Sequence, residues 1–487
     1  MHLEVRIGSR SQRRWHEELI TRLRALPDTE VSVRIVTEEP TKERKQLERL
    51  LTLERRLHGL AKGLLAPASL SSPTSRSEAE STPDIVLDLT STPAQGTWRL
   101  LYDGRSGHDA AADALRGGRF PLVSVVDDSG AVRAAGRPGS ELPGLLSTAL
   151  ADLHAGSVTL IVGAVSGSPF VTPADADEKP ASPRPFAQIA ARRVVGAAIR
   201  LAYRMLYRAP HWRVGWRRLD GPDVLDLGEL PKSGWEDLDD DGYRFFADPF
   251  PFAHQGRTYL FVEDFDHRTG KGVISVSEWD ENGPKGLPTP VLTHEVHLSY
   301  PFVLEHDGEI WMIPETSGAR RVELHRATRF PWDWERHSIL LDDVEASDVT
   351  VFTNDGRWWM MATVGFGGSL SDSLCIWSAP DLTGPWTPHA HNPVLVDIAS
   401  ARPAGHVVNK NGTLLRPVQD GRTGYGAALG IAEITKLDDD GFDQRIVRHH
   451  TSGERWPGTR LHTLNVGGDI ETIDGSRLVP RFWRSRG

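Results

Sequence analysis

Cysteine is almost absent. The single thiol in 487 residues, Cys375, excludes an intramolecular disulfide and any cysteine-rich zinc or iron–sulfur centre. It sits in the run LCIWS, which reads as a small buried strand residue and fits a reducing compartment. Residues 1–30 contain no apolar signal-peptide core, and no uninterrupted apolar run approaches the roughly twenty residues of a spanning helix. A cytoplasmic protein is the expectation. Positive charge is also short: 56 Lys and Arg face 66 Asp and Glu, giving a net charge of -10, so no nucleic-acid partner is expected. Although 19 histidines are present, there is no HExxH, and the chain has no GxGxxG, Walker lysine or GxSxG. Zincin, dinucleotide, P-loop and α/β-hydrolase chemistry therefore have no motif to stand on. No cofactor is expected, with one option left open: a Ca²⁺ held by carboxylates and water in a channel.

What the chain does have is a repeating hairpin. Residues 245–264 (FFADPFPFAHQGRTYLFVED) pair two apolar, aromatic runs across a Gln255-Gly256 turn. Antiparallel return predicts that Asp248, Glu263 and Asp264 share one rim. Taken alone, each acid reads as readily as a turn acid or solvated edge charge as it does as a site residue. Similar hairpins recur over 300–316, 348–363, 402–420 and 461–479, with turn glycines expected at Gly256, Gly308, Gly356, Gly412 and Gly475, spaced 52, 48, 56 and 63 residues apart. Asp-Gly and Asn-Gly favour tight turns with positive φ, and a period of about 50 residues with several strands per unit marks a propeller. Five units predict five blades. The strand at 211–219 lies outside the repeats and is expected to close the ring on the last blade. Thirteen of the 15 tryptophans follow residue 210, where they can serve as core or stack on sugar faces.

Upstream, strands over 3–7, 31–36, 83–89, 96–101 and 120–126 alternate with helical stretches at 12–25, 42–65 and 141–154, predicting an α/β domain over 1–165 with a parallel sheet. Gly8-Ser9-Arg10-Ser11 after the first strand is a weak candidate anion cradle. Residues 69–81 read as a polar low-complexity insert and 168–185 as an extended linker. Within the joining segment 166–210, residues 186–208 form a basic amphipathic helix with Arg192, Arg193, Arg200, Arg204 and Arg208. Two readings of it stay open: packing against the protein, or lying on the inner face of an anionic membrane. Residues 211–487 form the propeller.

In a propeller the starts of the inner strands ring one mouth of the channel. Those starts are Asp248, Tyr300, Asp348, Arg402 and His462; the ends of the partner strands add Glu263, Asp264, Glu315 and Gln419. Acids, a cation and aromatics at equivalent blade positions form a candidate pocket for a polyhydroxylated ligand, and paired carboxylates match the logic of glycoside hydrolysis. The alternative is charge that merely solvates a polar pore. Asp248 is the candidate general base, with Asp348, Glu315 and Glu263 as acid or pKa-tuning partners. Arg402, His406, Tyr425 and His462 are candidates for binding hydroxyl or anionic groups.

Three resemblances add to this. The ordered motifs LEVRIG, PDIVLDLT, GTWRLLYDG and FPLVSVV resemble the Rossmann-like N-terminal domain of formyltransferases, and more closely the formyltransferase-like domains fused to propellers. The resemblance implies folate-dependent formyl transfer by an Asn-His-Asp set. The first 150 residues contain no Asn, so a degenerate relative is expected, and formyl transfer to an amino sugar is the weakest functional reading. Ala247-Asp248-Pro249 resembles the ADP motif of five-bladed glycoside hydrolases of families 43 and 32, which implies that Asp248 is base or nucleophile. The positions where those families place further acids hold Tyr300 and Asp348 here, leaving Glu315 or Glu263 to supply the missing acid. Finally, FFADPF…YLFVEDF…SYPFVLEHDGEIWMIPET…SDVTVF…ARPAG…NGTLLRPVQD…GYGAAL…HTLN, between Trp212 and Trp483, resembles the propeller on the N-terminal side of plant glucosamine inositolphosphorylceramide transferases. In those proteins the transferase is a separate C-terminal domain, and the sequence here stops at Gly487 after the fifth blade, so no such domain is expected within it. The expected fold is an α/β Rossmann-like domain followed by an all-β five-bladed propeller. The leading function is glycosidase-like or glycan-modifying chemistry at the mouth. The alternative is a non-catalytic glycan or glycolipid recognition module that serves a separate glycosyltransferase.

Overall fold

The structure, a computed structural model, describes residues 1–39, 41–70, 82–168, 182–453, 456 and 458–481. Most of the expected polar insert and linker, and Trp483, lie outside the described residues.

Strands β1 (His2–Gly8), β2 (Glu30–Val36), β3 (Ile85–Asp88) and β4 (Trp98–Tyr102) pair in parallel in the order β2-β1-β3-β4. The short β5 (Arg105–Ser106) turns back on β4, and β6 (Val123–Val126) and β7 (Val132–Gly136) continue the sheet antiparallel. The sheet is therefore mixed, not parallel throughout as expected. Leu3, Val5 and Ile7 alternate into the core, each fully buried, beneath α1 (Arg14–Arg24) and α4 (Leu146–Ser166). Each such side chain removed from water contributes about 2 kcal/mol. Two helices depart from expectation. Helix α2 (Lys42–His58) stops early because Gly59 takes the left-handed C-cap conformation, φ 63°. Helix α4 runs on to Ser166, well past residue 154. It is long and apolar enough by composition to cross a bilayer, but 67% of its most apolar window is buried as core. His154, Ser157 and Thr159 interrupt its apolar run, which hid it in the sequence.

Helix α3 (His108–Gly117), which the sequence did not signal, packs against α4 and β4. Helix α5 (Phe186–Leu206) lies along α2, where Arg193 pairs with Glu54 at 2.7 Å and Arg200 reaches His58 at 3.0 Å. Its other side leaves Val194, Val195, Ile199, Leu201, Met205 and Leu206 more than half exposed. Both sequence readings of this helix therefore keep a physical basis: one face packs and the other is open.

The C-terminal region is a five-bladed β-propeller. The inner hairpins of blades one to three are Arg244–His254/Arg257–Asp266, Ser299–His306/Glu309–Glu315 and Ala346–Asn354/Arg357–Val364. Blade four uses Val408–Lys410 and Thr413–Asp420. Blade five takes its inner strands, Leu464–Gly467 and Ile470–Ser476, from the end of the chain and its third strand, Trp212–Arg218, from before blade one. The ring closes as expected. The turns Gln255-Gly256, Asp307-Gly308, Asp355-Gly356 and Asn411-Gly412 all have two successive positive φ values, the tight geometry that joins right-twisted strands.

The fifth turn corrects the sequence reading. It lies at Gly468-Asp469, where Gly468 has φ 62°, and not at Gly475. Gly475 sits inside a strand opposite Arg213, and a Cβ there would come within 2.3 Å of the Arg460 carbonyl oxygen. Its glycine serves close packing, not turning.

The two parts touch through residues 137–143. Arg137 exchanges backbone bonds with Val396 and Ile398, extending the edge of blade three. The Gly139 N–H donates to Asp372 Oδ2 at 3.0 Å. A Cβ on Gly139 would collide with Ile398, so the approach needs glycine.

Candidate functional site

The mouth is built by a repeated local device. In blades one to three the inner strand carries a bulge, and the bulged residue is Asp248, Tyr300 or Asp348, with φ of 47°, 45° and 54°. A left-handed conformation in a strand is strained for any residue with a Cβ, and most of all for Tyr. The bulge re-aims these side chains toward the axis. The strain is offset by bonds from neighbouring blades. Asp474 of blade five accepts the Asp248 N–H at 2.8 Å, Asp248 accepts the Tyr300 N–H at 3.2 Å, and Glu315 accepts the Asp348 N–H at 3.1 Å. Each carboxylate latches the next blade.

Two charged groups result. In the first, Asp248 Oδ1 accepts from Thr463 at 3.0 Å and lies 3.6 Å from His462 Nε2, while His462 Nδ1 is 2.5 Å from Asp474. His462 stacks on Trp212 with centroids 4.1 Å apart, and Tyr425 meets both rings edge-on. Burial opposes charge on His462, but the Asp474 and Asp248 carboxylates overcome it and raise the imidazole to about 9. Burial pushes Asp248 well above the usual carboxylate range. In the second group, Arg402 grips Asp348 through two nitrogens, at 2.6 and 3.3 Å, and Gln419 donates to the same carboxylate at 2.7 Å. Glu315 lies 3.8 Å from Arg402 and accepts from Ser317 at 2.7 Å. Burial, reinforced by Asp348, raises its carboxyl to about 7.

Several expected site residues take other positions. Asp264 does not join the rim: strand alternation turns it away from Glu263, and its carboxylate receives Arg244 at 2.8 Å and Ser275 at 2.7 Å. Tyr300 is fully buried, its hydroxyl accepting the Gly405 N–H at 2.7 Å and contacting Thr350 at 2.9 Å, so its ring is a pillar between blades. Arg402 is committed to Asp348 and Ser371, and it begins no strand; nor does His462. His406 is half-buried against Phe250 and Phe302 and bonds Asn465. Glu263 stays near the rim, 3.3 Å from His297.

Sequence reading missed Asp474, Thr463, Trp212 and His297. Asp474 does for blade one what Glu315 does for blade three, accepting the N–H of the bulged residue. Placing the turn at Gly475 concealed it, whereas the alternation in DIETIDGS would have revealed it. Donor atoms of Asp248, His462 and Asp474 lie within 4.8 Å of one another. A nitrogen ligand in this set departs from the all-oxygen shell that Ca²⁺ favours, and the His462–Asp474 hydrogen bond already occupies one of its nitrogens.

The 137–143 segment reaches this rim. Glu141 accepts from the hydroxyls of Ser369 at 2.9 Å and Ser371 at 2.8 Å, and Ser371 accepts in turn from Arg402 at 3.0 Å. The N-terminal part thus supports the Arg402 side of the mouth.

Comparisons with known proteins find similar chains for the C-terminal region. Residues 237–473 match the family profile described as glucosamine inositolphosphorylceramide transferase 1, N-terminal. The Arabidopsis thaliana protein named glucosamine inositolphosphorylceramide transferase 1 is 30% identical over 250 residues, 48% of this chain and 32% of its own length. The Oryza sativa subsp. japonica protein of the same name is 30% identical over 249 residues, 48% of this chain and 33% of its own. The chain spans about a third of the length of these curated relatives. Among solved structures, a GH43_1 enzyme from Xanthomonas citri aligns with TM-score 0.36 and 15% identity over 49% of this chain and 94% of that one. A family 117 glycoside hydrolase from Zobellia galactanivorans aligns with TM-score 0.35 and 14% identity over 54% and 90%. Residues 237–473 are thus similar in sequence to the N-terminal region of the glucosamine inositolphosphorylceramide transferases.

Proposed function

We propose that the propeller mouth binds a glycan, as the head of a glycolipid, and performs acid–base chemistry on it. The observation that carries this reading is Glu315, buried against Asp348 and 3.8 Å from Arg402, with its carboxyl raised to about 7, in a mouth that also holds Asp248. A group that titrates near neutrality suits a general acid, and Asp248, whose ionised form is favoured by the charged His462 3.6 Å away, is the candidate base. The names of the matching relatives, which carry inositolphosphorylceramide, support a glycolipid substrate. Turnover on a glycan and glycolipid panel tests it. Asp248→Asn is expected to keep binding and lose about 10²-fold or more in turnover, while Glu315→Gln removes the fall in rate above pH 7. If wild type and both variants bind alike and none releases product, the mouth does no chemistry.

That outcome would favour the second reading, a recognition module for a separate glycosyltransferase. Its supporting observation is the neutralisation of Asp348 by Arg402 and Gln419, which leaves that carboxylate no free charge for catalysis.

The open face of α5 supports docking on the inner surface of a membrane. Helical spacing places its six exposed apolar residues on one broad face, with Arg192 and Arg204 at its borders. Co-sedimentation with anionic vesicles is expected, weakening with salt and abolished by Val195→Asp with Ile199→Asp. Equal recovery with neutral vesicles, or an unaffected double variant, would refute membrane docking.

A further inference from the structure

A second site lies in the N-terminal domain, away from the propeller mouth. The sheet order β2-β1-β3-β4 means that the chain leaves β1 to one side for β2 and returns on the other for β3. The crevice beyond the carboxyl ends of β1 and β3 is therefore a topological switch point, the place where open α/β sheets bind ligands. A cavity of about 20 Å³ lies there, lined by Trp15, His16, Arg44, Tyr102, His108 and His154 among others. That is room for a group somewhat larger than water.

Three of the lining residues carry buried nitrogens with no hydrogen-bond partner: Trp15 Nε1, Arg44 Nη2 and His108 Nε2. Trp15 is 5% exposed and Arg44 9%. Leaving one such donor unpaired costs about 1–3 kcal/mol, and more when it is charged. Three around one cavity call for an acceptor. No carboxylate lies within ion-pair distance of Arg44 among the described residues; Asp109, the carboxylate that acts on it most strongly, bonds Thr41 at 3.3 Å. The adjoining Gly8–Ser11 loop is already served, because Glu38 fills it, accepting from Ser11 and from the Ser91 N–H.

The histidines form a relay. Ser157 and His154 Nδ1 both contact the Tyr102 hydroxyl, at 3.2 and 3.1 Å, and His154 Nε2 meets His108 Nδ1 at 2.9 Å. Burial keeps both imidazoles neutral. Two proton arrangements satisfy this chain. In one, Tyr102 donates to His154 and His154 to His108, leaving His108 Nε2 protonated as a donor; in the other every bond reverses and Nε2 becomes an acceptor.

We propose that this crevice binds the oxyanion group of a small metabolite, a phosphate or carboxylate, through Arg44, Trp15 and His108. The anion selects the arrangement with His108 Nε2 as donor, and Arg44 supplies the charge.

Orthophosphate and acetate, titrated separately into the full chain labelled with ¹⁵N at tryptophan, test this. The Trp15 indole N–H signal is assigned by its loss in Trp15→Phe. A saturable shift with phosphate identifies a phosphoryl ligand, and one with acetate a carboxylate. Arg44→Gln is expected to weaken binding about tenfold or more. No saturable shift with either anion overturns the proposal, as does equal affinity in Arg44→Gln, which would mean an adventitious ion only. If Arg44→Gln fails to fold by circular dichroism, His108→Gln carries the comparison, and unchanged affinity there overturns the proposal equally.

Discussion

Arg402→Met is expected to destabilise the propeller by about 3–5 kcal/mol, because it leaves Asp348 buried without its cation. Asp348 is 2% exposed and Arg402 7%, and their two-point contact joins blade three to blade four. Gln419 alone cannot balance a full charge. Glu315, 3.8 Å from the same guanidinium, loses that cation as well. Adding Asp348→Asn to Arg402→Met should recover more than half of the loss, since a neutral amide still accepts from Gln419. The midpoint of urea unfolding reads both effects, provided the slope is unchanged. A loss below about 1 kcal/mol, or a second substitution that adds to the first, would contradict the view that Asp348 is neutralised inside the rim.

Stability is expected to fall as pH rises from about 6.5 to 9. Four buried groups hold their protons more tightly when folded: Glu315 moves from 4.5 to about 7, Asp152 and Asp372 from 3.8 to about 7, and His462 from 6.5 to about 9. Burial is the main cause for the three acids. For His462 the Asp474 and Asp248 carboxylates overcome burial. A group with a raised folded pKa contributes its full stability below the unfolded value and loses it as pH climbs through the folded one. The three acids therefore act between about pH 4 and 7, and His462 between 6.5 and 9. Each tenfold gain in proton affinity on folding is worth about 1.4 kcal/mol, so the combined loss is several kcal/mol. Two sets of groups act the other way: Asp420, lowered to about 2 once His449 and Arg422 outweigh its burial, only below pH 4, and His16, His108, His154 and His267, whose imidazoles burial lowers, up to about pH 6.5, where they offset the acids. Asp372 and Asp152 repel each other where the N-terminal part meets blade three, next to Gly139 and Ser140. Asp372→Asn should thus flatten the acid-side step while leaving the step from His462. Unfolding at pH 6.5, 7.5 and 9 decides: a wild-type midpoint that rises with pH over this range rejects the assignment.

The sequence by itself determined the blades. Asx-Gly turns, aromatic and β-branched strand runs and a period near 50 residues are local signals, and four of the five turn glycines lie where those signals placed them. Local chemistry also identified Asp248, Asp348, Glu315 and His462 as residues of one rim. Tertiary structure decided the rest. Asp474-Gly475 carries the same turn signal as the true turns, but Gly475 must pass Arg460 and pair with Arg213, contacts fixed by a strand more than 200 positions away in the sequence. Nor does the sequence show which rim charges are free. Arg402 reads as a ligand-binding cation until the fold brings Asp348 to it, and Tyr300 reads as a ligand-binding residue of the mouth until Gly405 and Thr350 close on its hydroxyl. The N-terminal domain shows the same limit most clearly. His16, His108 and His154 have no motif spacing, and only the crossing of the chain between β1 and β3 brings them around one cavity. Hydrogen bonds within a turn or strand pair are written in neighbouring residues. Burial and the partnering of charges depend on segments distant in sequence, so they are settled only when the chain packs.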